Sequence, residues 1–107
     1  MAFKLVVVTT RTDLTDSIID AAKKAGTTGA TIIPARGTGI HEAKTFFGLS
    51  LEIQRDVILF IISENLLDTL MDTINETGRF YEPGTGIVFA MDLEKIIGLE
   101  SQIKRDS

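Results

Sequence analysis

Cysteine and tryptophan are both missing from this chain of 107 residues. The first absence excludes a disulfide framework and a thiolate metal centre, and it is compatible with a reducing compartment. Histidine occurs once, at His41 beside Glu42. One imidazole without a second His or any Cys falls short of a metal-ligand set, so no metal site is expected. Positive charge is scarce and scattered, 11 Lys and Arg against 15 Asp and Glu for a net charge of −4. Nucleic acid and anionic membrane surfaces are recognised by concentrated positive charge, so neither is expected as a partner. Long hydrophobic runs are lacking too. Leu5–Val8 and Val57–Ile62 are too short for a secretory core or a membrane span, and the expectation is a soluble, cytoplasmic protein. A chain of this length builds one hydrophobic core. One domain over residues 1–100 and a frayed, solvated tail at 101–107 are expected.

What is present is a change of period along the chain. Phe3 to Val8 is apolar and β-branched, as suits a central strand. From Thr12, Leu14, Ile18, Ala21, Ala22 and Ala25 fall on one helical face, and Gly26 is the expected stop. Thr9 to Thr12 reads as a hydroxyl-rich capping turn between the two. Ala30–Ala35 and Val57–Ile62 return to strand character, separated by a polar, glycine-punctuated segment from Arg36 to Gln54. After Ser63, a good N-cap type, Leu67, Leu70, Met71 and Ile74 mark a second helical face that should end at Gly78. Ile87–Met91 is a fourth strand, and Asp92 is placed to cap a short turn over Leu93–Ile97. The order β-α-β, β-α-β predicts an α+β, ferredoxin-like fold: a four-stranded antiparallel sheet with two helices on one face. An uncovered second sheet face this apolar predicts self-association with the sheets turned inward.

Two runs carry the functional reading. Gly37-Thr38-Gly39 follows the second strand, and Gly84-Thr85-Gly86 opens the fourth. Glycine lets an anion approach the peptide plane, and the predicted topology brings both runs and the Arg36–Gln54 segment to one end of the sheet. A side chain added at Gly39 or Gly86 should then block a ligand while sparing the distant core.

These residues resemble the P-II signal-transduction proteins over roughly residues 3 to 100. Gly29-Ala30-Thr31 through Arg36-Gly37-Thr38-Gly39 is similar to the approach to that family's T-loop, here about 37–55. Thr77-Gly78 with Gly84-Thr85-Gly86-Ile87-Val88-Phe89 is similar to its B-loop, here about 78–86. The resemblance implies a regulator of the nitrogen-regulatory type and not an enzyme. It implies a homotrimer that binds an adenine nucleotide (AMP, ADP or ATP) in clefts between subunits and signals to a membrane transporter or metabolic enzyme. The effector-binding residues it implies are Thr31, Arg36, Gly37, Thr38, Gly39, Arg55, Gly84, Thr85 and Gly86. No cofactor is required.

The departures from the family pattern have physical weight. Ile87 stands where a phosphate-holding Lys is usual, and Gly98-Leu99-Glu100 stands where two arginines are usual. At roughly 1.5–3 kcal/mol for each charge-assisted hydrogen bond, a triphosphate would lose several kcal/mol unless Arg55, Arg36 or Arg79 compensates. A ligand with fewer phosphates, or one that is not a nucleotide, is expected. The T-loop is shorter than usual and has no Tyr; its adjacent aromatics, Phe46 and Phe47, are the expected partner-binding pair.

Other readings stand beside this one. Gly37 and Gly39 could shape a turn, and Arg36 and Arg55 could be solvated loop charges. A structural trimer of the copper-tolerance type would not need so long a loop. An acylphosphatase-like hydrolase would need an Arg in an anion-cradling loop after the first strand, for which Arg11 is the sole hint. No nucleophile–base pair or carboxylate pair accompanies it.

Overall fold

The computed structural model describes residues 2–37, 44–46, 49–51 and 53–99. Strand β1 (Phe3–Arg11) alternates with period two: Val6, Val8 and Thr10 are fully buried, and their odd-numbered neighbours are not. The same alternation marks β5 (Ile53–Ser63), where Ile58, Phe60 and Ile62 are buried. Against that buried face lie α1 (Thr15–Lys24), through Ile18 and Ala22, and α2 (Leu67–Gly78), through Leu70 and Ile74. Each pair is spaced i, i+4, the repeat that puts two side chains on one helical stripe.

Strands β2 (Thr31–Gly37) and β6 (Gly86–Asp92) complete the main sheet in the order β2-β5-β1-β6, with every neighbouring pair antiparallel. This is the expected ferredoxin-like α+β arrangement. A separate antiparallel pair, β3 (Lys44–Phe46) with β4 (Leu49–Leu51), lies in the segment between β2 and β5. That segment reads in sequence as an irregular loop.

Several boundaries depart from expectation, most of them at one end of the sheet. Thr9, Thr10 and Arg11 belong to β1 instead of a capping turn, β2 runs on to Gly37, and β5 begins at Ile53. The apolar core stops short of these residues, but the ladder continues; cross-strand pairing, and not local hydrophobicity, sets the strand ends. Both helices start through a short 3-10 turn, Thr12–Leu14 and Glu64–Leu66. Ser63 gives no side-chain cap and pairs instead with the Asn65 side chain. Gly78 is the last residue of α2, and the left-handed position after it is taken by Arg79, at φ 53°. Asp92 caps no turn. Its carboxylate binds the Lys4 ammonium, which also lies 3.7 Å from Glu64, and the Asp92 hydrogen bond holds the Lys4 pKa above its ordinary value.

The second face of the sheet is apolar, and no described element covers it. Ile87, Phe89 and Met91 on β6 are 59%, 41% and 51% exposed and pair with Thr9, Val7 and Leu5. Ile33, 46% exposed, pairs with Val57 on the opposite side.

Candidate functional site

The ends of β1 and β2 and the starts of β5 and β6 converge at one end of the sheet. There Arg55 stands opposite both Arg11 and Ala35, and Gly86 stands opposite Thr10. Beside β2 and β5 a cleft of about 400 Å³ opens, lined by Thr12, Pro34, Ala35, Arg36, Gln54, Arg55 and Asp56. Arg36, Arg55 and Asp56 are its charged lining residues. The carboxylate is engaged: Asp56 Oδ2 accepts a 2.6 Å hydrogen bond from Thr15 Oγ1, at the first residue of α1. A carboxylate at a helix N-terminus is also favoured by the helix dipole.

Arg55 is buried, at 6% exposure. Its Nη1 donates to the carbonyl of Thr85 at 3.1 Å, and its Nη2 donates to the carbonyl of Gly84 at 3.0 Å. Strand β1 lies between β5 and β6, so this side chain reaches past the central strand to the turn that opens β6. Thr85, also buried, has its hydroxyl 2.9 Å from the carbonyls of both Arg79 and Glu82, which share its one proton. The turn is therefore held by a buried guanidinium from one side and by its own threonine from the other.

Not every expected site residue is gathered here. Arg36 and Arg55 line the cleft, and Gly37 closes β2 immediately beyond it. Gly84, Thr85 and Gly86 share this end of the sheet but sit by β6, the opposite edge from β2, roughly 14 Å away at three strand spacings. Arg55, a residue of the cleft lining, reaches them with its guanidinium. Thr31 is at the far end of β2, about 20 Å from Gly37 along the strand, and this chain does not bring it to the cleft. Thr38, Gly39 and Phe47 lie outside the described residues, as do His41 and Glu42. Phe46 is the last residue of β3. Among the described residues no group of three His, Asp or Glu side chains is placed to hold a metal, and no helix is long and apolar enough to cross a membrane.

The glycines differ in what the backbone asks of them. Gly86 has φ +145°, and a Cβ there would fall on the carbonyl oxygen of Thr9, so strand pairing alone demands glycine. This corrects the expectation that a side chain at Gly86 would spare the fold. Among the described residues Gly37 meets no such constraint: a Cβ built on it has no neighbour within 4 Å there. Arg11 likewise has a local explanation, since its guanidinium forks onto Asp13 at 2.7 and 3.1 Å.

Thr12, Pro34, Gln54 and Asp56 line the cleft without having been singled out from sequence. The available signal was register. Once β2 and β5 are paired through Pro34–Asp56 and Arg36–Gln54, their alternate residues must share a face.

Comparison with known proteins bears on the whole described sheet and both helices. Residues 3–102 match the family described as Nitrogen regulatory protein P-II. The chain is 25% identical over 97 residues to "Nitrogen regulatory protein P-II" of Klebsiella oxytoca, covering 86% of this chain and 87% of the relative. The same identity and coverage relate it to "Nitrogen regulatory protein P-II 1" of Escherichia coli K12 and of Salmonella typhimurium. With its ferredoxin-like sheet, and with Gly37 and Gly86 at one end of it, this chain belongs to the nitrogen regulatory protein P-II family, whose members are regulators and not enzymes.

Proposed function

We propose that this protein senses a small anionic effector, in first place an adenine nucleotide, in clefts between the subunits of a cytoplasmic homotrimer. It then controls a membrane transporter or metabolic enzyme through the segment at about 37–55. The observation that carries this reading is Gly37. It ends β2 beside a cleft with two arginines, and the open space at its missing Cβ leaves its peptide accessible to a ligand that a larger residue would obstruct. The trimer is supported by the apolar sheet face of Ile33, Ile87, Phe89 and Met91, which water covers poorly and a second copy covers well. In such an assembly Thr31, Thr38, Gly39 and the Gly84–Gly86 turn complete the effector site from neighbouring copies or from the loop, and Phe46 and Phe47 meet the target.

The test is a melting screen with AMP, ADP, ATP, cyclic nucleotides, 2-oxoglutarate and bicarbonate, alongside light scattering. A ligand at a hundred times its Kd adds about 2.7 kcal/mol to native-state stability, several degrees in Tm for a chain of this size. The expected result is a shift with at least one adenine nucleotide and a trimeric mass at micromolar concentration. A trimer that none of these compounds stabilises would leave the structural-trimer reading in its place, and a monomer would remove both.

A further inference from the structure

Arg55 joins two parts of the molecule that are not neighbours in the sheet. It is the third residue of β5, so its backbone belongs to the base of the 37–53 segment, where Ile53 pairs with Gly37 and Gln54 with Arg36. Its guanidinium belongs to the other turn, donating to two successive carbonyls, of Gly84 and Thr85, from a buried position. Two donors in one plane, fixed relative to each other, suit that pair of acceptors; an ammonium is a single point with no such fork. Because the side chain is buried and the acceptors are main chain, a displacement of the β5 start cannot be absorbed by a swing through solvent.

We propose that Arg55 is a positioning residue that couples the base of the 37–53 segment to the Gly84-Thr85-Gly86 turn, and that it acts on the effector site through this turn instead of as a direct ligand. An anion seated by Arg36 and the Gly37 peptide shifts the first residues of β5, and Arg55 carries that shift past β1 to the turn. The coupling rests on the effector reading given above; the clamp between Arg55 and the two carbonyls does not.

The experiment is amide hydrogen exchange on the full chain as wild type, Arg55→Lys and Arg55→Gln, first without ligand and then with ADP as the probe. Without ligand, both variants should exchange about tenfold faster across residues 84–88, while residues 58–62 in the core stay within twofold of wild type. With saturating ADP, wild type should slow at 36–37, at 53–55 and at 84–88. Arg55→Lys retains the charge and should bind ADP within about threefold, slowing at 36–37 and 53–55 but no longer at 84–88. Unchanged exchange at 84–88 in the ligand-free variants would overturn the clamp. ADP protection of 84–88 that persists in Arg55→Lys would overturn the coupling. A tenfold or greater loss of ADP affinity in Arg55→Lys, with the ligand-free turn unaffected, would make Arg55 a direct ligand. A wild type that ADP does not stabilise would remove the coupling for that effector, while the ligand-free arm still decides the clamp.

Discussion

Gly37 and Gly86 stand at the same end of one sheet, and the backbone makes opposite demands of them. Gly86 is held at φ +145° with the Thr9 carbonyl where its side chain would be. Gly37, at the end of β2, meets no neighbour among the described residues. The first glycine is therefore explained by folding and gives no evidence of a ligand. The second meets no such constraint among the described residues, so it is the better place to test for a ligand. Identical residue types in similar tripeptides thus carry different information, and only the surrounding backbone separates them.

The largest expected effect breaks the comparison at its rigid side. Gly86→Val must both adopt a conformation that branched residues avoid and displace the β1 backbone at Thr9, so a loss of about 3 kcal/mol or more is expected in denaturant melts. A variant of near wild-type stability would mean that the turn relaxes freely and that Gly86, like Gly37, is free for ligand use.

An intermediate effect is expected at Arg79, where the second turn begins. Its left-handed conformation, φ 53°, costs a residue with a Cβ about 1–2 kcal/mol. Arg79→Gly should recover part of that, raising stability by up to about 1 kcal/mol. A fall in Tm would show that the Arg79 side chain contributes more than its backbone conformation costs.

The smallest effect on stability sharpens the contrast. Gly37→Val should change unfolding free energy by only about 0.5 kcal/mol, as for a surface position without backbone constraint. It should nevertheless abolish the melting shift given by whichever effector stabilises wild type. Retained binding would reduce Gly37 to a passive strand end.

Much of this fold was legible because its two periodicities are clean. The i, i+4 pairs Ile18–Ala22 and Leu70–Ile74 and the alternation of Ile58, Phe60 and Ile62 reflect a core that local patterning encodes directly. The functional end was less legible for the same reason. Thr10, Arg11, Arg36 and Gln54 are polar residues held in strands by hydrogen bonds to partners distant in sequence, and no local pattern announces that. Arg55 illustrates the limit at the level of a single side chain. In sequence it could be a solvated charge or a phosphate ligand, while its burial and its carbonyl partners depend on Gly84 and Thr85, residues distant along the chain. Gly86 shows the converse, a glycine whose reason is another strand's carbonyl.

The strand order β2-β5-β1-β6 also has a kinetic meaning. The central strand β1 is the earliest in the chain, yet both of its partners come late; Lys4 and Asp92, which pair across β1 and β6, are 88 residues apart. Closing such long loops is entropically costly before any contact rewards it, which slows folding relative to a fold built from local contacts. On the ribosome, β1 therefore waits with one edge of unpaired peptide groups until β6 has emerged, and that edge is a template for pairing with another nascent chain. A strand that ends up paired along both edges thus spends the longest time unprotected.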